Sequence, residues 1–204
     1  MNEYAGSMVN TGRAAIPSDQ EQERAWISSS QQGDSRAFNR LVLKWEKKVY
    51  NVSLRMLRDR EEAAEATQEV FLMAFRSIRR FRLDAKFSTW IYRIAMNHCL
   101  TRLKQRPPGT HFSLDNTRDS ANPVDHLQVA GSQVSELMQQ ERQNRVLTAL
   151  SQLPADQQAV IELKFFQDRT FDEIAVILGT PLSTIKSRLY SGLEMLKTRL
   201  GSDA

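Results

Sequence analysis

The sequence predicts an all-α protein made of two small helical domains joined by a flexible linker. Three observations carry that prediction. Apolar residues recur at helical spacing through most of the 204 residues. Alternating β-branched runs are few, and the 6 prolines argue further against a sheet. One stretch of roughly 25 residues in the middle loses its periodicity, which is long for a connection inside a compact domain. Bulk properties narrow the class. The formal net charge is +4 and the pI about 9.4, which suits a nucleic-acid partner without demanding one. The single cysteine, Cys99, makes no internal disulfide and no cysteine metal cluster. No apolar run reaches the length of a membrane span, and no signal-peptide core stands at the start. The expected location is the cytoplasm, with no membrane contact.

Residues 1–21 are polar and aperiodic, and read as a disordered tail. From Gln22 the pattern is helical as far as a break at Gly33-Asp34. Asp34 or Ser35 is placed to cap the next helix. That helix carries Phe38, Leu41, Val42, Trp45, Val49 and Val52, an apolar stripe that has to bury against a partner.

The next predicted helix is Asp59 to Ile78. Val70, Phe71, Phe75 and Ile78 share a face and read as core. Glu62, Glu65 and Glu69 collect on the opposite face. From the charges alone a solvated face is the simpler reading, and docking to a basic protein partner is the other.

Charge then reverses. Arg76, Arg79, Arg80, Arg82, Lys86, Arg93, Arg102, Lys104 and Arg106 stand against Asp84 alone, nine basic residues and one acidic, a net of +8. Such a cluster is the electrostatic footprint of a backbone-binding surface. Phe81, Phe87, Trp90 and Tyr92 are interleaved with it, and bases of single strands stack on aromatic faces. Ser88 or Thr89 is the expected cap of a helix to about Gln105. Tyr92, Met96, Leu100 and Leu103 form its buried arc. Trp90, Arg93, Asn97, Thr101 and Lys104 fall on the other side. A lone tryptophan is more often packing than function, but these neighbours tilt the reading to a nucleic-acid face. Asn97 adds an amide able to read a base edge. His98 and Cys99 have no further ligands at metal spacing and read as structural.

Residues 107–134 are the linker, punctuated by Pro107-Pro108-Gly109, Asn122-Pro123 and Gly131. The second domain, 135–204, resumes helical pattern near Ser135. Val146, Leu147, Leu150 and Leu153 lead to Pro154, and Gln157 to Phe166 makes another helix. Then comes TFDEIAVILGTPLSTIKSRLYSGLEML, residues 170–196. Phe171, Ile174, Ala175 and Leu178 form one stripe, and Ile185, Leu189, Leu193 and Leu196 a second. Gly179-Thr180-Pro181 divides them, because glycine suits a C-terminal cap and proline ends the ladder. Two short helices on a tight glycine turn are the helix-turn-helix pattern. At about 100° per residue, Ser183, Lys186, Ser187 and Tyr190 face away from the leucines, towards bases or phosphates. The plainer alternative is a helical hairpin with a solvated outer face.

Four blocks taken together resemble a known family: GDSRAFNRLVLKWEKKVYNVSLRML, EEAAEATQEVFLMAF, FSTWIYRIAMNHCLTRLKQR and LPADQQAVIELKFFQDRTFDEIAVILGTPLSTIKSRL. Their order and spacing are similar to those of the extracytoplasmic-function sigma factors, over about residues 23–106 and 136–200. The resemblance implies that residues 22–106 are sigma region 2 and residues 135–204 are sigma region 4. It implies a chain that binds core RNA polymerase and promoter DNA, directs initiation, and has no catalytic residue, metal or cofactor. Glu62, Glu65, Gln68 and Glu69 would meet the polymerase clamp. Phe81, Arg82, Lys86, Phe87, Trp90, Arg93, Asn97 and Thr101 would recognise and melt the −10 element, with a base flipped into a pocket of the 81–87 loop and Asn97. Ser183, Thr184, Lys186, Ser187, Arg188 and Tyr190 would read the −35 element. An anti-sigma factor is an implied further partner. The chain departs from the family pattern at Glu62-Ala63-Ala64-Glu65-Ala66, at Ser183-Thr184-Ile185, and at Ser191 and Leu193, where basic residues are common; Lys197 and Arg199 stand close by as substitutes. A stand-alone helix-turn-helix regulator would explain the second domain and leave the first unused. A nuclease would need carboxylates clustered for a metal or a general base, and the acidic residues here lie along one helix face beside no histidine.

Overall fold

A computed structural model of the chain describes residues 18–106 and 145–201. Among these residues every regular element is helical. The tail before residue 18, the linker and the expected helix start near Ser135 lie outside them.

Local chemistry sets each boundary. Helix α1 spans Asp19–Gln31, three residues earlier than the sequence pattern suggests. Ser18 and Glu21 form a reciprocal capping box there and satisfy two free donors of the first turn. Helix α2 spans Ser35–Leu57, and the Asp34 carboxylate accepts from the N–H groups of Arg36 (2.8 Å) and Ala37 (3.2 Å). It stops at Arg58, a left-handed residue with φ 60° whose N–H still donates to the Leu54 carbonyl. Helix α3, Arg60–Ser77, is capped by Asp59 and runs into a 3₁₀ turn, Ile78–Arg80. Helix α4 is Phe87–Gln105. Its cap position is Lys86, with no side-chain cap bond, so neither Ser88 nor Thr89 serves as the cap.

The stripe on α2 is the hub of this half. Leu41, Val49, Val52 and Leu57 are fully buried, and α1, α3 and α4 all pack on α2. Helix α3 packs on it and buries Ala63, Ala66, Val70 and Ala74. Ile91, Ala95, Met96 and Cys99 close the core from α4. Trp45 buries its ring between Phe87 and Tyr92, with centroids at 5.9 and 5.8 Å, and donates its indole N–H to Glu23 at 2.7 Å. Phe75 departs from the expected core face. It is 46% exposed and holds only an edge contact, 5.1 Å, with Phe38.

The second half starts with a helical segment, α5, over residues 145–151. Helix α6 is Ala155–Ile161, and the predicted continuous helix to Phe166 changes pitch into a π turn at Glu162–Phe166. Helix α7, Phe171–Leu178, opens with a second capping box, Thr170 with Glu173. It ends at Gly179, φ 60°, where a Cβ would be strained. Helix α8 is Leu182–Gly201. Ile185, Leu189 and Leu196 are buried as expected, and Leu193 is half-buried. Gly192 is buried too, and a Cβ there would stand 3.0 Å from Ile161 Cδ1. No helix among the described residues is long and apolar enough to cross a membrane.

The two halves touch. Helix α7 lies along α4, and α6 meets α2. The turn at Gly179 gives a first prediction. Gly179→Ala forces a side chain into the left-handed region and should lower stability by about 1 kcal/mol in urea unfolding. An unchanged midpoint and slope would mean that the turn relaxes without cost.

Candidate nucleic-acid interface

Two polar helix faces remain exposed once the core is made. On α4, Arg93, Asn97, Thr101 and Lys104 point to solvent, one turn apart, as the sequence places them. Thr101 donates its hydroxyl proton to the Asn97 carbonyl at 2.7 Å, which leaves its oxygen as an acceptor towards solvent. Arg82 and Lys86 extend this face along the loop before the helix, where Arg82 pairs with Asp84 at 2.7 Å.

The aromatics lie behind that face. Phe81 and Phe87 are buried, with centroids 5.8 Å apart, and Trp90 is half-buried at 5.1 Å from Phe81 and 5.4 Å from Phe87. In this arrangement Phe81 and Phe87 shape the loop by packing and present no free ring for a base. The loop has an anchor that the sequence did not single out. Gln31, the last residue of α1, donates to the carbonyls of Ile78 (3.1 Å) and Phe81 (2.6 Å). An amide at the end of a helix gives no sequence signal for a bond about fifty residues away.

The acidic strip is not simply solvated. Glu65 pairs with Arg102 at 2.9 Å, Glu69 with Arg102 at 3.3 Å and with His98 at 3.0 Å, and Glu62 with Arg106. These links fasten α3 to the C-terminal half of α4. They also consume part of the +8 that the basic segment carries on paper. Gln68 is exposed on the same side of α3, beside Leu72, 54% exposed, and Phe75. The apolar part of that face was not legible, because Phe75 fits the core stripe equally well.

On α8, Ser183, Lys186, Ser187 and Tyr190 are exposed, Tyr190 at 65%. Thr184 and Arg188 are half-buried, and Arg188 donates to Asp156 of α6 at 2.8 Å. The Lys186 ammonium stands 5.8 Å above the Phe171 ring. Ser191 is exposed and lies 3.4 Å from the Gln157 amide, and Arg199 bonds Gln152.

Comparison with known proteins agrees with this architecture. Residues 41–107 match the model of sigma-70 region 2, and residues 143–196 that of sigma-70 region 4. The RNA polymerase sigma-H factor of Pseudomonas aeruginosa is 31% identical over 185 residues, 89% of this chain and 95% of that protein. The ECF RNA polymerase sigma-E factor of Haemophilus influenzae is 30% identical over 185 residues, 89% of this chain and 97% of that one. The ECF RNA polymerase sigma factor SigW of Bacillus subtilis is 31% identical over 176 residues, 85% and 94% of the two chains. In fold, the chain is similar to CnrH, solved in complex with the cytosolic domain of CnrY, with a TM-score of 0.65 at 18% identity over 90% of this chain and 99% of that one. It is also similar to the sigma factor RpoE of Bartonella quintana, solved with the anti-sigma factor NepR, with a TM-score of 0.60 at 19% identity over 82% and 98%.

An all-helical chain with matches to regions 2 and 4 in this order belongs to the sigma-70 family of RNA polymerase sigma factors. Within that family it is an extracytoplasmic-function sigma factor, a promoter-directing initiation factor and not an enzyme.

The α3–α4 fastening gives a second prediction. Burial holds the His98 imidazole below its ordinary value of 6.5, against the pull of Glu69 and with help from Arg102. The unfolded chain therefore takes up the proton first. The contribution of neutral His98 is complete above pH 6.5 and declines as pH falls towards the lower, folded value. Melting curves from pH 7.5 to 5.5 should show a loss of Tm in the wild type that is smaller in His98→Gln. Equal slopes would remove His98 from the acid response.

Proposed function

We propose that the outer face of α4 reads the −10 element, that the outer face of α8 reads the −35 element, and that α3 docks the chain on core polymerase. The division of labour is 22–106 for region 2 and 135–204 for region 4, with 107–134 connecting them and 1–21 as a tail. The observation that carries this reading is the row Arg93, Asn97, Thr101 on an exposed helix face, next to a basic loop, within the segment that matches region 2. Arginine and lysine at 82, 86 and 93 hold phosphates, and Asn97 offers the donor and acceptor that distinguish one base from another. Taking a base from its stack costs a few kcal/mol, and the protein has no nucleotide-driven step to supply it. Binding energy has to cover it. With Phe81 and Phe87 packed inward, a flipped base is held by the edge of the 82–86 loop and by Asn97, not by stacking on those rings.

On α8, Ser183, Lys186, Ser187 and Tyr190 reach the major groove, with Thr184 and Arg188 at the margin. Arg188 is tied to Asp156 and acts there as a support. For polymerase, Gln68 and Glu69 with the exposed Leu72 and Phe75 form a mixed patch of the kind that docks a protein, flanked by Glu62 and Glu65. An anti-sigma factor is a further partner, by analogy with CnrH and RpoE in their complexes. The work takes place in the cytoplasm, where polymerase is.

Two substitutions test the division of labour in run-off transcription with core polymerase. Asn97→Ala should lose discrimination at one −10 position, about 1–3 kcal/mol or roughly fivefold to 150-fold between best and worst base, while it still binds core. Lys186→Ala should weaken −35 duplex binding and reduce the salt slope by about one. If Asn97→Ala ranks all −10 variants as the wild type does, α4 does not read the base.

A further inference from the structure

The loop between Phe81 and α4 has little structure of its own. From Arg82 to Lys86 its backbone closes on itself through one bond, from the Ala85 N–H to the Arg82 carbonyl at 3.0 Å. The Arg82–Asp84 pair lies on the outside, and the exposed Lys86 ammonium pairs with Glu173 of α7. Exposed pairs of this kind hold a loop weakly. Lys86 gives α4 no side-chain cap. The buried Phe87 ring fixes the exit of the loop.

The entry is held in another way. Phe81 leaves the 3₁₀ turn in extended backbone, φ −68° and ψ 131°. Its N–H donates to the Ile78 carbonyl at 3.0 Å. Its carbonyl accepts from the Gln31 amide at 2.6 Å, and the same amide nitrogen donates to the Ile78 carbonyl at 3.1 Å. Both hydrogens of one NH₂ group are thus engaged. The Phe81 ring is packed, but a ring contact tolerates sliding. A carbonyl is coplanar with the peptide that follows it, so holding the Phe81 oxygen sets the plane of the Phe81–Arg82 bond and the direction in which the loop departs. Gln31 is half-buried as the last residue of α1, and the chain turns at Gly33, φ 99°. That turn lies beside the 3₁₀ segment, where a Cβ on Gly33 would stand 3.9 Å from Arg79 Nη2. The neighbouring Gln32 is exposed.

A pocket discriminates between bases only if its walls keep their place, and a wall that shifts by about an ångström admits the wrong base as well. We propose that Gln31 is a positioning residue for promoter specificity: it touches no DNA, and by holding the Phe81 carbonyl it sets the 82–86 loop at the distance from Asn97 that selects one −10 base. The inference rests on the reading of that loop and Asn97 as the −10 pocket.

The test is run-off transcription with saturating core polymerase on templates varied singly through the −10 and −35 elements. The readout is the ratio of transcript between best and worst base at each position. A change in the amount of folded protein scales every template alike and cancels in that ratio. Gln31→Glu keeps the length but sets carboxylate oxygens against two carbonyls, and Gln31→Met keeps the length with no donor. Both should lower the −10 ratio by roughly threefold to tenfold, the scale of one or two lost hydrogen bonds, and leave the −35 ratios as they are. Gln32→Glu makes the same charge change one residue on and should keep every ratio. Wild-type ratios in both Gln31 variants, with less transcript or not, overturn the inference if Asn97→Ala loses discrimination, and the reading of the pocket then stands. Wild-type ratios in the Gln31 variants and in Asn97→Ala together overturn the reading and the inference with it. Equal losses in Gln31→Glu and Gln32→Glu, with none in Gln31→Met, trace the effect to charge and overturn the positioning role.

Discussion

A helix that buries one face leaves the opposite face in water, and this constraint organises the whole first half of the molecule. The apolar stripe of α2 is the surface that must be covered. Helix α4 covers it with Ile91, Ala95, Met96 and Cys99. Once those positions point inward, Arg93, Asn97 and Thr101 have to point outward. The candidate reading face is therefore fixed by the core and not by a loop of its own. Burial is strong enough to push the Cys99 thiol up to about 11, so this cysteine is an inert filler of the core. The same logic sets α8. Gly192 brings its inner face against Ile161, Ile185 and Leu189 fill the contact, and the candidate recognition residues are what remains outside.

Charge plays two separate parts. On the surface, the Glu62, Glu65 and Glu69 pairs with Arg106 and Arg102 are partly exposed, and such pairs are each worth about 0–1 kcal/mol. Their effect is to orient α3 against α4 and to spend part of the basic charge of the 76–106 segment. The pair of Arg55 and Glu162 is enclosed, and there the desolvation of both ions opposes their attraction.

Much of this was legible in the sequence. The apolar periods of α2, α7 and α8 gave the helices, Asp34 gave a cap, and Gly179-Thr180-Pro181 gave the turn. The exposed row on α4 followed from angle alone. What could not be read came from contacts distant in sequence. Phe75 matched the core period yet sits at the rim, while α3 buries Ala63, Ala66, Val70 and Ala74. Phe81 and Phe87, set among arginines, looked like stacking rings but bury one another beside Trp45. Gln31, Gln158 and Glu162 carry long-range bonds with no local pattern. The π turn replaces an expected stretch of α-helix where Glu162 reaches Arg55, a pairing between residues that no periodicity connects.

In the proposed initiation complex α4 presents its outer face to a single unpaired base. A photo-crosslinking amino acid at position 97, in the full chain assembled with core polymerase on its own promoter, tests it most directly. The expected crosslink is confined to one base of the non-template strand in the −10 element and appears as the duplex melts. Crosslinks only to double-stranded DNA, or to polymerase alone, would contradict it.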